Sequence, residues 1–406
     1  MGKHDPIAAM LDGVVQRGEL AGAATLVWRG GTVTQCAAVG WRDKAAGTPL
    51  TRDTIFRIAS MTKPITSVAA MSLWEEGAFA LDQPIADFAP EFTHMRVLRD
   101  PNGPLHESDP AARPITFDDL LTHRSGLTYK DIHTGPICAA YADATRGDID
   151  SEVEPDDWIA RLGGLPLIAQ PGAGFHYGHS TDLLGLLIAR IDGASLGEVL
   201  ARRVFRPLGM TDTGFIVPPE HRGRRARMYG FDRDGQLAAR TGPPGVLAER
   251  PADMAFESGG QGLWSTLDDY LAFARLFTGG GAVDGVRVLK PETLALIITN
   301  RLPEDQRAAA KFLGMTTFDA GHGFGLGVAV VTDPDKAGAL RGKGGLGTVN
   351  WPGAFGGWWQ ADPTDGSVMI LLAHNLIEPA LISKGIGWGA YAAMEEFHAL
   401  ASAKGG

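Results

Sequence analysis

Cysteine is nearly absent: the 406 residues include two, Cys36 and Cys138. They lie far apart and lack the short spacing of metal ligands, which argues against a disulfide framework and against a structural metal site. Positive charge is also in deficit. Thirty-seven Lys and Arg face 47 Asp and Glu, for a net charge of −10, and a nucleic-acid partner requires a basic face. The arginine cluster from Arg222 to Arg227 sits between glycines and prolines and reads as a solvated loop. No apolar run approaches the roughly 20 residues of a membrane helix. The opening MGKHDPIAAMLDGVVQRGEL reads as a short amphipathic helix without the apolar core and cleavage site of a secretory signal. A cytoplasmic protein with no membrane partner is expected. The eleven histidines contain no His-Glu-x-x-His, and His176 and His179, which bracket Tyr177, read as polar residues lining a cleft. Neither a metal nor an organic cofactor is expected.

What is present is an ordinary globular composition, 44% hydrophobic and 21% charged. Sheet character gathers at the two ends of the chain. Residues 22–41 alternate as a hairpin around Gly30-Gly31, and strand patterns return at 324–331, 356–362 and 368–375 before a last helix from about Trp388 to Ala401. Between Ser60 and Leu302 helical patterns dominate. Thr116 with Asp119 forms a cap signature, with Gly126 as the stop; Asp182 to Ile191 reads as a buried helix; Ser265 with Asp268 opens another helix. The expected division is therefore an antiparallel sheet unit from 1–59 and 303–406 and a mostly helical unit from 60–302, an α+β arrangement.

Two motifs match chemistry in letters only. Gly193-Ala194-Ser195-Leu196-Gly197 has the Gly-x-Ser-x-Gly spacing of a nucleophile elbow, but a helical pattern precedes it where a strand is required. Ser195 with Glu198 instead reads as a helix cap. Gly342 to Gly347 has the glycines of a dinucleotide loop with no helix after them.

Ser60-Met61-Thr62-Lys63 is different because its spacing brings two chemical groups together. Residues three apart share a helix face, and Pro64 is tolerated only if the helix begins near Ser60. Ser60 then lies at a helix N-terminus, which favours developing negative charge. Taken alone, the same letters also describe a capped helix with a solvated lysine. A serine nucleophile needs a base, and an ammonium is the wrong form for that task. Tyr177, delivered by the turn-rich stretch from Gln170 to Ser180, offers a second proton carrier or else a core aromatic. Trp351-Pro352-Gly353-Ala354-Phe355-Gly356-Gly357-Trp358 offers small residues beside an aromatic wall, where a substrate passes close to backbone N–H groups, or else a plain glycine-rich hairpin.

Six stretches in order, IFRIASMTKPITSVAAM, FDDLLTHRSGLTY, PGAGFHYGHSTDLLG, RVFRPLGMTDTGF, GGQGLWSTLDDYLAF and the one beginning at Trp351, resemble the serine β-lactamase and penicillin-binding-protein superfamily. Within it the chain is most similar to the class C β-lactamase-like esterases, the family VIII carboxylesterases. The resemblance implies a β-lactamase-like fold, an antiparallel sheet flanked by helices beside a helical domain, with the site between them. It implies Ser60 as the acylated serine, Lys63 and Tyr177 as its proton-transfer partners, and an oxyanion hole from the backbone of Ser60 and Ala354. Trp351, Gly353, Phe355 and His179 are the implied substrate contacts. Two positions depart from the β-lactamase pattern: His179 replaces the asparagine of Tyr-x-Asn, and Trp351-Pro352-Gly353 replaces Lys-Thr-Gly, removing the cation that would hold a β-lactam carboxylate. Hydrolysis of a small-molecule carboxylic ester is expected. A β-lactamase, a D-aminopeptidase, an amide hydrolase or an acyltransferase on the same fold are the alternatives.

Overall fold

The computed structural model describes residues 5–147, 149–240, 246–247, 249–312, 314–318, 320–338, 341–376, 378, 381 and 384–403. Asp5 accepts the Ile7 and Ala8 amides and Pro6 occupies the first turn, so a helix forms at Pro6–Gln16. The hairpin follows as β1 (Gly22–Arg29) and β2 (Thr32–Asp43), joined through Gly30-Gly31, both in the left-handed region that hairpin turns of this length use.

The main sheet is completed by β3 (Thr48–Pro49), β4 (His322–Phe324), β5 (Ala329–Val331), β6 (Val349–Asn350), β7 (Trp358–Asp362) and β8 (Ser367–Ala373). Its order is β4-β5-β6-β7-β8-β1-β2-β3, antiparallel throughout. The two ends of the chain meet where β1 pairs with β8, Leu26 opposite Ile370. Both faces of this seam are covered, so β8 is buried throughout and β1 over its first six residues, rather than on alternate residues. Val27, Trp358, Met369 and Leu371 face Ile7, Leu11 and Phe397 of the two terminal helices. Leu26, Trp359, Ile370 and Leu372 join the larger core with Phe273 and Phe277 of the helix Leu267–Thr278. The last helix, Trp388–Ser402, lies near its expected place.

Four expectations about local structure change. The stretch 324–331 is not one strand: Gly325 donates to the Val328 carbonyl and the chain doubles back as β4 and β5, as two glycines in four residues favour. The helix capped by Thr116 and Asp119 ends at Leu121, and His123, at φ 53°, takes the left-handed position expected further on at Gly126. Thr266 with Asp269, not Ser265 with Asp268, caps the helix Leu267–Thr278. The arginine stretch is tied down, because Arg224 grips the Asp212 carboxylate and the Asp53 carbonyl. Ser195 does cap the helix Leu196–Leu200, accepting the Glu198 amide at 3.2 Å. Among the described residues both cysteines are free thiols, and no helix is long and apolar enough to cross a membrane.

Burial sets an acid limit on this fold. Desolvation pushes His374, whose Nδ1 donates to the Ala226 carbonyl, down to about 4 from 6.5, and does the same to His176. Between those values the unfolded chain binds protons that the folded chain refuses, so stability is complete above 6.5 and falls as pH drops towards 4. Asp269, raised by burial to about 6, and Glu257, also raised by burial, oppose them, while His123 and His398, lowered by burial as well, act with them. The urea midpoint is therefore expected to be lower at pH about 4.5 than at pH about 7; a midpoint that rises on acidification contradicts this account.

Candidate active site

Ser60 is reached through a short strand. Phe56–Arg57 pairs with Trp264–Ser265, and the Ile58 amide donates to the Leu263 carbonyl. Arg57 is buried on Asp150 at 2.7 Å, on the Leu247 carbonyl at 2.8 Å and on the Trp264 ring, which fixes the approach to the serine. Ala59 then takes φ 46°, an uncommon value for a residue with a Cβ. Ala59–Met61 form one 3₁₀ turn that leads into the α-helix Thr62–Glu75. Residues 62–73 of that helix are all buried, the mark of a helix that crosses the middle of a protein.

Tyr177 arrives on a separate loop. A side chain at Gly178 would overlap the backbone of Leu127 and Thr128, so only glycine lets the two loops pass this closely. The crossing also brings Tyr129 to the site. The His176 amide donating to the His123 carbonyl at 2.7 Å locks the arrangement.

Five side chains meet here. The Tyr177 hydroxyl donates to Ser60 Oγ at 2.7 Å. Lys63 Nζ lies 3.4 Å from Ser60 Oγ, 3.2 Å from the Tyr129 hydroxyl and 2.9 Å from the Gly260 carbonyl, three acceptors for the three donors of an ammonium. The Trp351 indole N–H donates to the Tyr177 hydroxyl at 3.1 Å. Ser60 and Lys63 are 6% and 0% exposed, so each of these bonds acts in a medium of low dielectric.

Behind them lies a buried acid. Asp182, on the helix Ser180–Asp192, accepts from the Tyr129 hydroxyl at 3.0 Å, from the Gly260 amide at 2.9 Å and from the Ser258 hydroxyl. Its other partner is His179 Nδ1 at 3.3 Å. Burial by itself pushes the Asp182 carboxyl up, but His179, through its hydrogen bond and charge, together with Lys63 and Ser258, holds it below its ordinary value. The neighbouring His123 is driven well below its usual range by burial first and by the Lys63 charge second. It packs as a neutral ring against Tyr177.

The remaining predicted residues divide. Gly353 abuts the Ile58 carbonyl so closely that a side chain would not fit, which brings the stretch after Trp351 beside the strand that leads to Ser60. Gly353 and Gly357 bridge across a tight turn that leaves Ala354 exposed at its tip. His179 and Phe355 do not line the cleft. The His179 ring is buried among Tyr129, Tyr141 and Trp158 because it pairs with Asp182. Phe355 is buried with Ala59, Ile149, Met228 and Val246. Trp351 is 4% exposed, and its polar edge is engaged with Tyr177. Sequence reading missed Tyr129 and Asp182; both stand in stretches already singled out, but nothing local separates that tyrosine from a core aromatic or that aspartate from a first-turn helix residue.

The Beta-lactamase family model matches residues 7–381. The chain belongs to the beta-lactamase family. Protein Rv1367c of Mycobacterium tuberculosis is 47% identical over 89% of this chain and 88% of its own length. Esterase EstB of Burkholderia gladioli is 31% identical over 91% and 90%. Among solved structures, EstCE1, described as a hydrolase with promiscuous acyltransferase activity, superposes with a TM-score of 0.77 over 96% of this chain and 97% of its own, at 25% identity. This beta-lactamase-family chain is thus a serine hydrolase of the β-lactamase fold, with relatives of the esterase and acyltransferase type.

Tyr129, His179 and Ser258 all hydrogen-bond to the Asp182 carboxylate. Asp182→Asn leaves the buried cation of Lys63 without it and is expected to lower the unfolding free energy by about 3 kcal/mol, read as a shift of the urea midpoint at neutral pH. An unchanged midpoint removes Asp182 as the counter-charge.

Proposed function

We propose that the chain hydrolyses carboxylic esters, with short to medium acyl chains, through an acyl-enzyme on Ser60. The observation that carries the reading is the serine hydroxyl held at 2.7 Å by Tyr177 and at 3.4 Å by Lys63. A hydroxyl becomes nucleophilic when its proton has somewhere to go. Ser60 Oγ bonds to the ester carbonyl carbon as its proton passes to the coupled Tyr177 and Lys63 pair, which in the reactive state holds one proton fewer, as a phenolate beside the ammonium or a phenol beside the neutral amine. The indole of Trp351 donates to the phenol oxygen on which negative charge would build, and the Lys63 cation lies 4.5 Å from the Tyr177 ring.

The oxyanion of the tetrahedral intermediate is assigned to the backbone N–H groups of Ser60 and Ala354; the tight approach of Gly353 to the Ile58 carbonyl, which keeps the two stretches adjacent, supports that assignment. When the carbon–oxygen bond to the alcohol breaks, the alcohol takes the proton from the same pair. Water then enters along the alcohol's path, gives its proton to the pair and attacks the acyl carbon. The acid is released and the Ser60 hydroxyl restored. Which of the two groups holds the proton at each stage is a property of the pair.

Esters are preferred to β-lactams because Trp351 stands where the β-lactamase pattern has lysine. Arg341 lies 4.8 Å over the Trp351 ring, but it is buried and donates to the Thr317 carbonyl. The esterase name of EstB supports the same choice. The description of EstCE1 favours a second outcome on the same acyl-enzyme, capture by an alcohol in place of water.

Ser60→Ala is expected to abolish turnover of p-nitrophenyl butyrate, and near-native turnover in that variant would sink the assignment. Tyr177→Phe should lower kcat by about 10²- to 10⁴-fold, the usual worth of a positioned acid–base group, with an unchanged circular dichroism spectrum. In wild type, nitrocefin should turn over more slowly than the butyrate ester; the reverse order would make the chain a β-lactamase first.

A further inference from the structure

The proposed reaction sends the departing alcohol towards Tyr177, since the group that returns its proton must lie within hydrogen-bond reach of the leaving oxygen. The surroundings of that tyrosine decide where the rest of the alcohol can go. Its ring is met by His123 at 4.8 Å, Trp351 at 5.3 Å, Tyr129 at 5.6 Å and Phe312 at 5.8 Å. The first three are 0%, 4% and 6% exposed. Phe312 is only partly buried, and it is the one of the four on the solvent side.

Phe312 has little else to do in the fold. It stands on a two-residue ladder, Lys311–Phe312 against Met315–Thr316, in which Met315 is exposed. The helix before it, Glu304–Ala309, has no buried residue. The segment is fastened at its base, by Gln306 to the Gly172 carbonyl and by Arg307 to the His322 carbonyl. Such a short ladder contributes little stability by itself. Yet it holds an aromatic ring edge-on against the tyrosine beside the nucleophile, next to Ile132, which packs on the same aromatic cluster.

We infer that Phe312 is the specificity-determining wall for the alcohol half of the ester, limiting the size of the alcohol that fits beside Tyr177. The inference rests on the ester reading above. It separates the two halves of the substrate: Phe312 grades the alcohol and leaves the choice of acyl group to other residues.

The test uses the full chain and two ester series, butyrates of methanol, phenol and 2-naphthol, and p-nitrophenyl esters of rising acyl length. The readout is kcat/KM, which covers only the steps through loss of the alcohol. Phe312→Ala should raise the naphthyl-to-methyl ratio by about tenfold, the order of discrimination that apolar pockets supply, and leave the rank order of acyl lengths unchanged. Phe312→Trp should move the same ratio the other way, which guards against a fold defect in either variant. If both variants leave the alcohol ratio alone, or if acyl preference shifts as much as alcohol preference, Phe312 is not this wall. Should wild type hydrolyse neither series, the ester reading itself fails, an outcome distinct from a wild type that is active and indifferent to Phe312.

Discussion

A lysine with no exposure to water, Lys63, is the constraint on which the middle of this protein depends. A buried ammonium is costly unless every donor is satisfied and an opposite charge lies near. Three acceptors from three separate parts of the chain meet the first need: the serine one turn back, Tyr129 from a loop and the carbonyl of Gly260 from another. Asp182 meets the second at one remove, through Tyr129 and the Gly260 amide. The cation thus ties the helix Thr62–Glu75, the Tyr129 loop, the helix Ser180–Asp192 and the Ser258–Gly260 stretch into one assembly.

The same requirement shapes the chemistry. Of the three contacts of Lys63, one is to Ser60 and the other two are to Tyr129 and the Gly260 carbonyl. The Ser60 hydroxyl has its short hydrogen bond with Tyr177, whose oxygen also receives the Trp351 indole N–H. The serine therefore sits at the end of a polar chain that runs from the indole through the phenol, with a cation beside it. Such networks are worth more inside the protein than in water. Ala59 at φ 46° suggests that the backbone immediately before the serine is held in its conformation by the packing around it, since alanine does not choose that region unaided.

The replacement of the family asparagine by His179 acquires a meaning that the motif by itself did not have. The imidazole is turned away from the reacting atoms and serves the buried acid, while Tyr129 occupies the contact with Lys63. Trp351 likewise changes character: where the β-lactamase pattern has a lysine, an indole spends its single donor on Tyr177.

Much of the fold was legible in the residues because local chemistry imposes it. Alternation over 22–41 and the apolar runs at 356–362 and 368–375 dictate strands whose faces must be covered. Thr116 with Asp119 and Ser195 with Glu198 satisfy amides that every helix start leaves open. Pro64 places the helix start near Ser60, so the spacing of Ser60 and Lys63 on one face was determined by sequence alone. Tertiary structure decided everything that depends on distant segments crossing. Tyr129 and Tyr177 lie 48 residues apart in number and meet only because Gly178 lets two loops touch. His179 and Phe355 read as cleft residues from their place in motifs, yet the pull of Asp182 on one and the packing around Ala59 on the other bury both. Short-range pattern can show which groups are able to act; which of them face the nucleophile is settled by long-range packing and by the need of a buried charge for partners.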